Sequence, residues 1–183
     1  MSLMENPEHT AFPAPAEKRA RQTVDANWNP IGGALSIAGV KIVEMKNLVI
    51  KGGTLTEIYR PEWFDGLMKV EHVTHVTALP GFTSKWHCHQ DQSDVLFVLG
   101  GYFRIGLYDA RPDSSSQGVS SVATYHLRRP QAVFVPPGVW HALRNVGITE
   151  AAYIVLNDRP YHYENPDDWI LPAGSPDIPV SLD

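Results

Sequence analysis

The sequence has a single cysteine, Cys88, which excludes an internal disulfide framework and fits a reducing compartment. It has no run of about 18 apolar residues, so no segment is expected to cross a membrane as a helix. The first sixteen residues, MSLMENPEHTAFPAPA, carry charges and prolines and lack the apolar core of a signal peptide. A cytoplasmic location is the expectation that follows. Positive charge is also short. Lys and Arg number 15 against 20 Asp and Glu, for a net charge of −5. That balance argues against nucleic acid or an anionic membrane as the main partner. The densest basic stretch, AEKRARQ, mixes Glu17 with Lys18, Arg19 and Arg21 and reads as a solvated helical face. Helical periodicity is the last thing missing: only a short helix over Glu17–Val24 can be drawn.

What is present is a series of short β-like runs separated by Pro and Gly. A chain of 183 residues suits one domain. Strands are expected at Val40–Glu44, Leu55–Tyr59, Val70–Leu79, Ser84–His89, Asp94–Leu99, Tyr102–Tyr108, Val122–Leu127, Ala132–Val135, Val139–Asn145 and Ala151–Asn157. Asp109–Gly118 reads as an exposed loop. The expected layout is an N-terminal arm over 1–33, an all-β sandwich or barrel over 34–172, and a C-terminal tail over 173–183, with a jelly roll as one way to bury the strands.

The chemistry concentrates in Gly81–Asp94, GFTSKWHCHQDQSD. On a strand His87 and His89 share one face, and Trp86 and Cys88 take the other, where they pack. Two imidazoles with Asp94 beyond a short turn suit a metal or a proton-transfer site; two histidines satisfied by their neighbours are the plainer alternative. In Val70–Leu79, His72 and His75 face opposite ways, and a structural role is expected for each.

A second stretch, Pro136–Asn145, completes the pattern. Gly81, His87, His89, Asp94 and Gly101, then Pro136, Gly138, His141 and Asn145, resemble the two motifs of the cupin superfamily, with Asp94 in place of Glu and Pro130 in place of a Gly. The resemblance implies a cupin double-stranded β-helix, a jelly-roll barrel. In metal-binding cupins the ligands fall on His87, His89, Asp94 and His141. Imidazole with carboxylate suits Fe, Mn, Ni, Zn or Cu.

A narrower resemblance, over residues 37–172, is to the dTDP-4-dehydrorhamnose 3,5-epimerase family. It rests on GVKIVEMKNLVIKGGTLTEIYRPEW, the histidine strand, GLYDAR, PPGVWHALRN and YHYENPDDWILP. It implies a homodimer and a metal-free reaction, in which a histidine removes a proton beside a C4 keto group and a tyrosine acts on the opposite face. His87 matches the base. His141 and Tyr163 join it as catalytic candidates, and Glu57, Arg104 and Tyr153 as substrate-binding ones. Arg104 binds an anion inside the barrel or is solvated outside. The family's lysine falls on Asp94, one phosphate-binding arginine falls at or near Gly52, and Ser84 replaces a second. Three readings stand at this point: a sugar epimerase or isomerase without cofactor, a metal-dependent dioxygenase or isomerase, and a non-catalytic metabolite-binding cupin.

Overall fold

The structure, a computed structural model, describes residues 25–26 and 36–183. The expected arm and its helix lie outside the described residues, apart from Asp25 and Ala26. Twelve strands follow one another: β1 (Lys41–Glu44), β2 (Asn47–Ile50), β3 (Gly53–Thr56), β4 (His72–Ala78), β5 (Trp86–Cys88), β6 (Asp94–Gly100), β7 (Tyr102–Asp109), β8 (Ser120–His126), β9 (Gln131–Val135), β10 (Val139–Asn145), β11 (Ala151–Asn157) and β12 (Trp169–Leu171). A 3₁₀ turn lies at Pro61–Phe64.

The strands form two five-stranded antiparallel sheets, β1–β9–β6–β11–β4 and β12–β5–β10–β7–β8, plus a separate β2–β3 hairpin. From β4 onward most connections cross between the sheets, which is the jelly-roll barrel expected from the sequence. Alternation decides what each strand buries. Leu96 and Val98 of β6 meet Phe103, Ile105 and Leu107 of β7 and Val139 and Leu143 of β10 between the sheets. The other face of β6, Val95 and Phe97, packs outward against Phe64, Met68 and Phe134. The continuous run DVLFVL is therefore buried on both sides, as such a run predicts.

The second sheet is covered by the chain end. Trp86 and Ala142 pack against Ile178 and Leu182, and the Trp86 indole donates to the Ala173 carbonyl at 3.1 Å. The tail also supplies β12, which pairs with β5, Trp169 opposite Cys88 and Leu171 opposite Trp86. Nothing in its local sequence marks that strand. The unpaired edge of β5 selects it.

One expectation needs correcting. The expected strand Leu55–Tyr59 moves back to Gly53–Thr56 and pairs with an unforeseen Asn47–Ile50, because Gly52, at φ +92°, turns the chain there. The polar loop after β7 is exposed over most of its length, as expected, and is braced at its base. Asp109, fully buried, accepts from Arg111 Nε at 2.8 Å and Ser114 Oγ at 2.6 Å, while Arg111 Nη2 reaches the Ala38 carbonyl at 2.6 Å. Burial pushes the Asp109 carboxyl up, but Arg111 and the two serines hold it below the usual range.

Gly101 makes the turn from β6 to β7 at φ +73°, and a Cβ there would sit 2.3 Å from the Ala151 Cβ and 3.0 Å from its Cα. Left-handed backbone costs a non-glycine roughly 1–2 kcal/mol, and overpacking against backbone adds about 1–3 kcal/mol. Gly101→Ala is expected to destabilise the fold by about 2–5 kcal/mol on those grounds. Urea unfolding measures it; an unchanged midpoint would contradict the turn geometry.

Candidate functional site

Between the sheets the barrel leaves a cavity of about 250 Å³. His87, His89, His141 and Ser84 line it from the second sheet, and His72, Asp94, Tyr153 and Asn157 from the first. Backbone pairing sets the arrangement. His141 of β10 stands directly opposite His87 of β5. The Gly138 N–H, in a turn at φ +80°, donates to the His89 carbonyl at 2.7 Å and locks the second motif against the first. Asn145, which closes the second motif, is structural. Its amide donates to the carbonyls of Ala78 and Thr149, and its oxygen accepts from the Gly147 N–H.

Asp94 occupies the centre at 3% exposure. Its Oδ1 accepts from Gln92 Nε2 at 2.8 Å and from Asn157 Nδ2 at 2.7 Å. Its Oδ2 lies 3.3 Å from His89 Nε2 and 3.2 Å from His141 Nε2. The far nitrogen of each ring is engaged by a backbone carbonyl: His89 Nδ1 by Asp167, and His141 Nδ1 by Val139 at 3.3 Å. If both Nδ1 atoms carry their protons, two imidazole lone pairs and a carboxylate converge on one point. Three acceptors facing one another require a cation between them, either a proton or a metal ion.

The donor set fits both. As a proton site, the cluster keeps His89 charged. Burial opposes the charge, but the Asp94 hydrogen bond and negative charge outweigh it, and the pKa is raised to about 9. The Asp94 carboxyl is pushed up by burial and more strongly down by the two histidines, so it stays ionised. As a metal site, His89, Asp94 and His141 offer three ligand atoms within 4.8 Å of one another. Separations of 3.2–3.3 Å suit the edges of a coordination shell with metal–ligand bonds near 2.1 Å, and the carbonyls on Nδ1 are the usual outer partners of metal-bound imidazole.

The four-ligand set expected from the sequence divides here. His87 stands apart from the three, with its ring centroid 6.2 Å from that of His141. Its Nδ1 is held by Asp168 Oδ1 at 2.9 Å. That His–Asp pair leaves Nε2 to face a ligand, the arrangement of an oriented base.

Other sequence candidates separate by position. Tyr153 is buried and lines the cavity from β11, edge-to-face on Phe103, and burial pushes its hydroxyl pKa up. Tyr163 is 87% exposed and does not line the cavity. Arg104 points to the outer side of the second sheet, where Nη1 donates to the Leu182 carbonyl, because its alternation places it with Gly106 beneath the C-terminal tail. Glu57 is exposed and paired with Arg60 at 2.6 Å, since the strand meant to carry it ends at Thr56. His72 lines the cavity, whereas His75, one step of the alternation away, does not.

Residues 167 and 168 were not singled out by sequence, and the site depends on them. Besides holding His89, Asp167 accepts from the backbone N–H groups of Gln90, Asp91 and Gln92 and so fixes the turn between the histidines and Asp94. The only local signal was the Asp-Asp pair in an aperiodic tail.

The charge on His89 gives a pH signature. A histidine with a raised pKa contributes stability in full below its unfolded value of 6.5 and loses it as pH rises to about 9. In chelator-treated protein the urea midpoint is expected to decline across that window, and Asp94→Asn is expected to flatten the decline. A level wild-type profile would mean that His89 holds no extra proton.

Comparison with known proteins agrees with this fold. The cupin domain family matches residues 74–157. A probable low-salt glycan biosynthesis epimerase of Haloferax volcanii is 28% identical over 71% of this chain and 86% of its own length. A spore coat polysaccharide biosynthesis protein of Bacillus subtilis is 28% identical over 74% of this chain and 89% of its own. Among solved structures, a dTDP sugar isomerase from Desulfovibrio desulfuricans superposes with a TM-score of 0.73 at 22% identity, covering 80% of this chain and 92% of that one. The motif histidines face each other across β5 and β10 inside a jelly-roll barrel, residues 74–157 match the cupin domain, and the chain is similar to a probable glycan biosynthesis epimerase.

Proposed function

We propose that this protein inverts a carbon next to the carbonyl of a keto sugar, with His87 as the base. The observation that carries the reading is the His87–Asp168 pair at the wall of a cavity sized for one sugar ring. Asp168 on Nδ1 fixes the ring tautomer, so Nε2 takes the proton from the carbon. The carbonyl becomes an enolate, and the cation shared by His89, Asp94 and His141 offsets the charge that develops on oxygen. A proton returns to the opposite face of the carbon. Tyr153 supports that step, since it faces the cavity from β11 in the first sheet while His87 faces it from β5 in the second, and burial keeps its hydroxyl protonated. Water then reprotonates the tyrosine as His87 releases its proton.

The cluster favours a second reading, in which the same cation is a divalent transition metal held by His89, Asp94 and His141. When bound, it would polarise the substrate carbonyl as a Lewis acid. The chain's own part is unchanged: His87 takes the proton, and Gln92 and Asn157 keep Asp94 oriented. Among the described residues no helix is long and apolar enough to cross a membrane.

The test is hydrogen exchange from dTDP-4-keto-6-deoxyglucose in deuterated water. His87→Asn is expected to abolish it, and Asp168→Asn to slow it by about 10²–10⁴-fold, the usual contribution of general base catalysis. Exchange that survives His87→Asn at the wild-type rate would end the assignment. Elemental analysis separates the two readings: a stoichiometric metal lost in Asp94→Asn selects the second.

The homodimer expected from the resemblance has a surface to use. Leu48, Val49, Ile50 and Leu55 are exposed on the β2–β3 hairpin. A two-stranded hairpin is marginal alone in water, which supports a second copy of the chain as its cover. Light scattering is expected to give a dimer, and Val49→Asp a monomer with the same far-ultraviolet circular dichroism. A monomeric wild type would remove this assignment.

A further inference from the structure

The outer face of the second sheet carries charge that the catalytic site does not use. Alternation turns Arg104 of β7 and Arg144 of β10 outward, and the pairing register sets them directly opposite each other. Like charges in that position repel. One carboxylate answers them: Asp183 Oδ1 lies 2.9 Å from Arg144 Nη1, on a side chain that is 82% exposed. Arg104 Nη1 donates to the Leu182 carbonyl at 2.9 Å and pairs with no carboxylate among the described residues. Two cations against one anion leave one positive charge unbalanced here.

The C-terminal tail reaches both arginines but does not fill the space beside them. A second cavity, of about 330 Å³, lies between tail and sheet. It is larger than the catalytic one and falls in the usual range of small-molecule sites, about 300–1,000 Å³. Arg144 forms its polar end, with Nη1 donating to Thr83 Oγ1 at 2.8 Å. The Nε and Nη2 donors make no hydrogen bond among the described residues. Ile178, Pro179, Val180 and Leu182 supply apolar wall from the tail. A guanidinium with open donors at one end of an apolar slot is complementary to a carboxylate on a hydrophobic body. A phosphate would carry more charge than the one unbalanced cation neutralises, and would leave the apolar wall unused.

We infer that this cavity is a second binding site, for a small monocarboxylate with an apolar body, and that its occupancy holds the tail on the sheet. Most of the lining belongs to the tail, from Ala173 to Asp183, so the site exists only while the tail is docked. A ligand that binds only the docked form shifts the tail toward docking by mass action. The chain segment that leads into this tail brings Asp168 to His87 and Asp167 to His89. Binding outside the barrel therefore acts on the elements that direct the rings inside it. The site stands on its own geometry and does not depend on the sugar reading above.

Benzoate is the probe on the full chain, with inorganic phosphate and benzyl alcohol as controls. Titration calorimetry is expected to show benzoate binding at millimolar concentration or below, and weaker binding of both controls. Arg144→Gln is expected to weaken benzoate by roughly ten- to a hundredfold, the scale of a charge-assisted bidentate contact. Asp183→Asn removes the competing carboxylate and is expected to tighten benzoate by about two- to fivefold, the scale of an exposed ion pair. Tighter binding cannot come from misfolding, so this variant keeps the test sharp if Arg144→Gln folds poorly. In hydrogen exchange read by mass spectrometry, benzoate at about ten times its Kd is expected to slow the amides of residues 172–183 by roughly tenfold. His87→Asn is expected to bind benzoate as the wild type does, which places the probe outside the catalytic cavity. No benzoate binding at millimolar concentration, tighter binding of phosphate than of benzoate, an affinity unchanged in either Arg144→Gln or Asp183→Asn, or protection confined to the catalytic cavity would each overturn the inference.

Discussion

The buried charge of Asp94 is the constraint from which the rest of the site follows. An ionised carboxylate at 3% exposure is costly unless every lone pair is met. Two amides meet one oxygen and two imidazoles meet the other. Those partners come from four places in the chain: Gln92 beside it, His89 before the turn, His141 on β10 and Asn157 at the end of β11. The charge can be satisfied only when β5, β6, β10 and β11 are all in register. The same network that makes the site therefore reports that the barrel has closed.

A second consequence is chemical. In the resembling epimerases a lysine provides positive charge at the position Asp94 occupies. Here the carboxylate reverses the sign at that point, and the two histidines restore a cation beside it. In the proposed reaction the positive charge beside the substrate thus lies on a shared cluster rather than on one side chain. A proton or a divalent metal can fill that role with little change in the protein, because the outer nitrogens of both histidines are already directed at backbone carbonyls.

Much of this was legible from spacing. The alternation that put His87 and His89 on one face and Trp86 on the other is a property of any strand, and the structure follows it: Trp86 is buried at 1% exposure under the tail. That Asp94 and His141 belong to one site was legible from the spacing within the two motifs; how closely they approach, 3.2 Å between Oδ2 and Nε2, was not. What alternation cannot supply is which face of a strand is the inside. Arg104 shares a face with Tyr102 and Tyr108, but that face is the outside of the second sheet. Long-range closure was equally hidden. Asp167 and Asp168 reach His89 and His87 across about eighty residues, and a tail without periodicity carries no local mark of where it returns.

That returning tail argues for a division of labour in the site. The histidines sit on strands whose pairing is fixed by the barrel, so their positions are set by the core. Their ring orientations are not. Rotation about the side-chain bonds of His87 and His89 is stopped by Asp168 and Asp167, which belong to a segment anchored separately by β12 and by Ile178 and Leu182 on the outer face of the sheet. Position thus comes from the strands up to β11, and tautomer and direction from the segment that follows them. Loosening the tail, for example by cutting back Leu182, leaves the barrel core between the sheets intact. It releases the acceptors that direct both rings, and so separates the presence of the histidines from their use.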